Sequence, residues 1–295
     1  MARFGLLTVP SGSQVCTTAR CIPSPAWTRD QSSQMSETHR HTLPHLLRIA
    51  CYESWLEFLK CLRIPAFSVS LFVFPVGMFL FFGLGMKWEP AHIQHTLYWA
   101  TASSCMGVIG VGLFGFGVYV ATERGQGWLL LKRVSPMPPL MYFLAKTMMS
   151  ILFSCIVVAV ILSIALSSGQ VVTNVETVLK LIGILVLTTV PFCTLGLAIA
   201  YLVGPNSAHA VINVVYLPQL FLGGIVVPYE YLPTYLQTIA SVLPSYHSVQ
   251  LAFGVIDSAS HPSWLWNVLV LSCYTLLFGA LATYRYYKDE GRTYG

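Results

Sequence analysis

Charge is scarce in this sequence. Only 9% of its 295 residues are Asp, Glu, Lys or Arg, against about 25% in soluble domains. Hydrophobic residues make up 55%, and the mean hydropathy is +0.68. A water-soluble fold of this length cannot cover its surface with so few charges, so the chain reads as an integral membrane protein. No charged residue lies between Lys180 and Glu230. A proton-driven carrier places a titratable group near the midplane of a span. The central thirds of the apolar runs hold none, which argues against proton antiport and leaves sodium coordination by carbonyl groups open. No G-x-x-x-x-G-K-[ST] phosphate loop occurs, so the chain alone is not expected to hydrolyse ATP. The eight cysteines form no C-x-x-C pair. Cys105, Cys155, Cys193 and Cys273 lie inside apolar runs, where cysteine acts as a small hydrophobe, and structural disulfides are not expected. The net charge of +5 is not gathered in one patch, so nucleic acid is not an expected partner.

Residues 1–42 are polar, lack an apolar run of signal-peptide length, and read as a disordered cytoplasmic tail. Met35 reads as a candidate for the true translation start, because organised sequence begins just after it. His39, His41 and His45 lack a fourth ligand and read as part of a solvated tail. Residues 43–64 read as an amphipathic interfacial helix. Tyr52, Trp55, Leu56, Leu59 and Leu62 recur at a spacing of three to four on one face, with Glu53, Glu57 and Lys60 opposite. Two placements fit that pattern, flat on the membrane or packed on a cytosolic partner.

The expected fold class is an all-α integral membrane protein with six transmembrane helices. The spans are expected at about 67–86, 97–121, 140–166, 178–203, 208–227 and 264–284, within a transmembrane domain over 65–288. A short cytoplasmic tail follows at 289–295. Each run is long enough to cross ~30 Å of hydrocarbon, and lipid offers backbone groups no partner but their own helix. Pro75 is expected to kink the first span. The second span carries Gly107, Gly110, Gly112, Gly115 and Gly117, where another helix can approach closely. Lys146, near the start of the third span, is expected to snorkel to the surface. With an even number of spans both termini share a side. The N-terminal segment, the loop after the second span and the C-terminal tail hold seven, three and three basic residues, and the opposite loops hold only Lys87. Both termini are therefore expected in the cytoplasm, in the plasma membrane of the cell.

Two connections stand out. Thr122–Pro139 holds Glu123, Arg124, Lys132 and Arg133 around an apolar stripe, Trp128 to Leu131. It reads as a short amphipathic element at the cytoplasmic surface, where a soluble partner would act. The connection from Pro228 to Ser263 has no Lys or Arg but two apolar patches, interrupted by Pro244. It reads as an extracytoplasmic helix–break–helix hairpin between spans five and six, dipping into the outer leaflet or capping the bundle. A surface-lying amphipathic loop fits as well. His92 and His95 with Glu89, and Tyr246, His247 and Asp257, are weak candidates for metal or catalytic chemistry.

The motif Glu123-Arg124-Gly125, followed by Leu129-Leu130-Leu131 and Val134-Ser135-Pro136, resembles the ABC-2 type transporter permeases. So does Gly223-Gly224-Ile225-Val226-Val227-Pro228, followed by Tyr231-Leu232-Pro233 and Leu243-Pro244-Ser245-Tyr246. The resemblance spans about Leu46 to Lys288 and departs from the usual pattern at Gly127-Trp128 and Met137-Pro138-Pro139. It implies the permease subunit of an ABC exporter, not itself an enzyme and needing no cofactor. A separate ATP-binding cassette subunit and a second permease subunit, identical or not, would be its partners in membrane lipid. It implies a coupling loop at Glu123, Arg124, Gly125, Trp128 and Leu130, and a hairpin punctuated by Pro228, Pro233 and Pro244. Glu123 and Arg124 would contact either the motor or the interfacial helix. The apolar, glycine-bearing second and fifth spans suggest a hydrophobic or amphiphilic, drug-like or lipid-like substrate. A secondary carrier or a membrane-embedded enzyme is the alternative.

Overall fold

The computed structural model describes residues 43–63, 65–86, 94–127, 139–257 and 264–288. The expectations for residues 1–42 and 289–295, for Glu89 and His92, and for Trp128 through Pro138 lie outside them. The chain divides into two units, Met1–His45 and Leu46–Gly295, and every contact below lies within the second.

The described residues hold helices and no strand. In chain order they are α1 (Leu43–Leu62), α2 (Pro65–Met78), α3 (His95–Gly125), α4 (Pro139–Ser167), α5 (Val175–Leu187), α6 (Thr189–Leu202), α7 (Pro205–Leu222), α8 (Thr234–Ala240), α9 (Pro244–Ile256) and α10 (Trp264–Lys288). Pro75 lies inside α2, which continues as a π-helical stretch over Phe79–Gly85. A second π-helical stretch, Val111–Val118, lies within α3. Among the described residues, four segments are long and apolar enough to cross a membrane: α3, α4 from Met141, α5 with α6, and α10. They coincide with the expected second, third, fourth and sixth spans. α8 and α9 meet at 91° across a short break, and counting that bent pair as one span would make five. The expected first span corresponds to a shorter apolar helix, Leu71–Gly85. The expected fifth corresponds to α7, which carries Asn206, Ser207, His209, Asn213 and Gln219.

The breaks follow from local chemistry. Pro191 has no N–H to offer the carbonyl of Leu187, and α5 gives way to α6 at Thr188. Pro205 opens α7 at the first helical position, where its missing N–H costs nothing. Pro233 immediately precedes α8, and Pro244 opens α9. Between α7 and Pro228 the chain turns at Gly223-Gly224. Gly224 has φ +81°, and a Cβ on Gly223 would lie 2.3 Å from Gln219 O.

α3 is the inner helix, buried over most of its apolar length, whereas α10 is peripheral and mostly exposed. α6 packs between the π-helical stretch of α3 and α10. That approach depends on glycine: a Cβ on Gly117 would lie 2.8 Å from the Cα of Gly196, and one on Gly112 would lie 2.5 Å from Phe192 Cβ. With no hydrophobic driving force between helices in lipid, such backbone proximity supplies the dispersion contact that holds them.

A side chain at the α3–α6 crossing should therefore separate the helices. Gly117→Val is expected to lower the thermal unfolding midpoint in detergent, in line with overpacking costs of about 1–3 kcal/mol. Gly183→Val, at a position with nothing within 4 Å of its Cβ, should leave the midpoint unchanged. Equal midpoints for the two variants would refute close packing at Gly117.

Candidate functional site

The Glu123 end of α3 gathers nearly every charge that the bundle holds inside. Lys146, on α4, has no exposed surface. Its ammonium lies 2.9 Å from Glu57 Oε2 on α1 and 2.9 Å from Glu123 Oε2 on α3. Its third direction faces the Tyr119 ring, 4.1 Å from the centroid. Lys60 Nζ, on α1, lies 2.7 Å from Glu123 Oε1 and 3.9 Å from Glu57 Oε2. The four side chains thus form a ring of alternating sign, Lys60, Glu123, Lys146, Glu57, with no net charge. Tyr142 OH, one turn before Lys146, donates to Glu123 Oε2 at 2.5 Å. Lys60 is the open member, at 41% side-chain exposure against 6% or less for the other three.

This placement corrects two expectations. Glu57, expected on the polar face of α1, is buried. It lies with Ala50, Ser54, Phe58 and Cys61 on the buried side of α1, while Tyr52, Trp55, Leu56, Leu59 and Leu62 are exposed. Lys146 does not snorkel outward. A carboxylate pair reached by α1 and α3 gives its ammonium partners inside, and a desolvated charge takes the nearest full set of partners. The signal was present in the sequence as a lysine within an apolar run, but its partners lie 89 and 23 positions away, beyond any local pattern. Apolar contacts extend the seam: Phe58 packs on Phe153 at 4.7 Å, and Cys61 Sγ approaches Met149 Sδ at 3.6 Å. Burial pushes the Cys61 thiol up to about 11, so it packs as a neutral group.

The next two residues of the motif reach other helices. Arg124 is buried, and its guanidinium donates to Ala200 O at 2.5 Å and Val203 O at 3.3 Å. Those carbonyls close α6, where the last turn lacks intrahelical donors and a cation is favoured. Tyr201, under that guanidinium, forms an edge-to-face triangle with Phe143 of α4 and Tyr286 of α10. At Gly125 a Cβ would lie 2.8 Å from Pro205 Cβ, so the first residue of α7 rests against bare backbone. Glu123, Arg124 and Gly125 therefore address α1 with α4, α6, and α7 in turn. Trp128 and Leu130 lie outside the described residues.

At the other end of α3, His95 Nε2 donates to Phe82 O at 2.9 Å, and Tyr98 stacks on Phe253 of α9 at 4.8 Å. His247 is buried between helices. Its Nε2 donates to Ser241 O at 3.0 Å, and its Nδ1 lies 2.8 Å from the Asn267 side-chain amide. It ties the α8–α9 corner to α10, together with the Tyr274 hydroxyl, which donates to Val242 O. Pro228 precedes the 3-10 turn Tyr229–Tyr231. Among the described residues no three His, Cys, Asp or Glu side chains could hold a metal ion together.

The balance of the ring can be tested. Lys146→Met leaves two buried carboxylates facing one ammonium and is expected to cost about 3–5 kcal/mol, the usual penalty for breaking a buried pair. Adding Glu57→Gln leaves the Glu123–Lys60 pair intact and restores neutrality, so the double variant should unfold at a higher temperature than Lys146→Met alone. Additive losses in a thermal unfolding series would show that the four charges do not act as one unit.

The ABC-2 type transporter family profile matches residues 51–256, a stretch that holds the ring, Glu123-Arg124-Gly125 and the α8–α9 corner. A protein of Bacillus subtilis (strain 168) named "Putative transport permease YvfS" is 26% identical over 240 residues, covering 81% of this chain and 97% of its own. The chain is a multi-pass membrane protein, and it belongs to the ABC-2 type transporter family.

Proposed function

We propose that the chain is the transmembrane permease subunit of an ABC exporter. It spans the membrane six times, α2 and α7 being its first and fifth spans, with both termini in the cytoplasm of a cell bounded by its plasma membrane. Two such subunits, identical or paired with a related chain, form the pathway, and a separate ATP-binding subunit hydrolyses ATP. α8 and α9 form the extracytoplasmic hairpin, and α1 lies at the inner interface with its exposed Trp55 and Tyr52 among headgroups. The substrate is a hydrophobic or amphiphilic compound, drug-like or lipid-like.

One observation carries the coupling role. The two elements within reach of a cytoplasmic motor, α1 and the Glu123 end of α3, are joined by the buried charge ring, and Arg124 and Gly125 extend that junction to α6 and α7. A displacement of either element then moves the four other helices of the junction, because paired charges in an apolar setting do not separate without a large desolvation cost. Glu123 and Arg124 act as transmitters inside the junction. The motor itself docks on the segment that follows, including Trp128 and Leu130.

Two experiments test this reading. Glu123→Gln, measured with the co-purified ATPase in proteoliposomes, should lower ATP-dependent transport by about tenfold or more, the size of a typical coupling free energy. The ATPase subunit should still co-purify. Transport at the wild-type rate, or loss of the ATPase from the complex, would sink the transmitter role. For topology, single cysteines placed at positions 91 and 260 should react with an impermeant maleimide on intact cells, and one at position 292 should react only after lysis.

A further inference from the structure

We propose that a cavity at the His95 end of α3 binds the hydrocarbon tail of a single-chain amphiphile. The proposal names a substrate class, and the cavity's role in transport rests on the permease reading above. The cavity measures about 290 Å³. A void of about 150 Å³ suffices for one benzene ring, so this one accommodates roughly ten methylene groups. Phe82, Met86 and Trp99 form one wall, and Val226, Pro228 and Tyr231 form the other.

Both walls are fixed before any ligand arrives. Phe82 stacks on Trp99 with centroids 4.8 Å apart, and its carbonyl accepts from His95 at 2.9 Å. Gly83 lets the π-helical stretch come close, since a Cβ there would lie 3.2 Å from Trp99 Cβ. Across the gap, the amides of Ile225 and Val226 both donate to Leu220 O at 3.3 Å, and Tyr98 OH reaches Gly224 O at 3.5 Å. The left-handed Gly224 turns the chain so that Val226 and Pro228 face the cavity instead of continuing α7. A pre-formed, concave, apolar site with few polar groups is what a hydrophobic ligand requires.

The lining specifies a tail and no polar headgroup. Among the described residues it holds no charged side chain, and its polar side-chain groups are the Tyr231 hydroxyl and the Trp99 indole. A ligand bearing several polar groups would lose hydration there without compensation. An alkyl chain loses none, and the flexible Met86 side chain, half-exposed at 46%, can adapt to its contour. Tyr231, exposed at 58% in the 3-10 turn beside Glu230, leaves the wet side for a headgroup. The cavity therefore takes an amphiphile tail-first.

The test uses the full chain in lipid nanodiscs and a photoreactive probe, dodecylphosphocholine bearing a diazirine at its chain end. Adducts mapped by mass spectrometry should saturate on peptides containing Phe82–Met86 and Val226–Tyr231, and unlabelled dodecylphosphocholine should compete them away. Val226→Trp should fill the cavity and cut saturable labelling by about tenfold or more, equivalent to ~1.4 kcal/mol or more of binding free energy. Val214→Trp, on an exposed face of α7, should not. Labelling that never saturates and spreads over the exposed face of α10 in the unmodified chain would overturn the proposal. So would saturable labelling that Val226→Trp leaves intact. Saturable adducts in the cavity, together with no ATP-dependent movement of the probe by the complex, would support the site and sink its part in transport.

Discussion

An ammonium group with no exposed surface carries a desolvation penalty of several kcal/mol unless opposite charges and hydrogen bonds surround it. Lys146 is such a group, and the arrangement around it follows from that constraint. One carboxylate would leave the pair poorly satisfied. Two carboxylates would leave a net negative charge, and Lys60 restores the balance from the open side. Because Glu57 and Lys60 lie on α1, Glu123 on α3 and Lys146 on α4, charge balance is also a positional rule for three helices. α1 is held to the bundle by electrostatics that an apolar setting strengthens, with its aromatic and leucine face left outward.

Glycine acts on the same helices in a complementary way. Charge fixes where α1, α3 and α4 meet, and the missing Cβ atoms of Gly112, Gly117 and Gly196 fix how closely α3 and α6 run. Gly125 does the same for the start of α7. The Glu123-Arg124-Gly125 sequence is compact because each residue solves a different problem: a paired carboxylate, a cap on the end of α6, and a backbone contact. A junction of this kind resists local deformation, and small displacements at one element pass to its neighbours. In the proposed transport cycle that stiffness is the useful property. The opposite end is built differently, from aromatic stacking, a buried histidine and a glycine turn around an apolar hollow.

Much was legible in the sequence. Scarcity of charge required a membrane environment, and that environment required helices. Four of the expected spans fall on helices long and apolar enough to cross. The remaining two were less secure in physical terms. One coincides with a shorter apolar helix, Leu71–Gly85, and the other with the polar-sided α7, so composition alone does not mark either as a crossing. Glu123, Arg124 and Gly125 were also singled out from the sequence. Tyr142 was not, and Glu57, Lys60 and Lys146 were noted without their partners, because the helical period of α1 assigns Glu57 and Lys60 to a polar face without saying what that face meets.

Class, helix content and the places where helices must stop are local matters, set by hydropathy over some twenty residues and by proline and glycine acting on their own backbone. The sequence alone decides them. Which charge answers which depends on helices brought together from distant parts of the chain, and desolvation is felt only once they pack. Tertiary structure alone therefore decided that Lys146 turns inward, that Arg124 closes α6, and that Phe82 and Val226 face each other across a hollow.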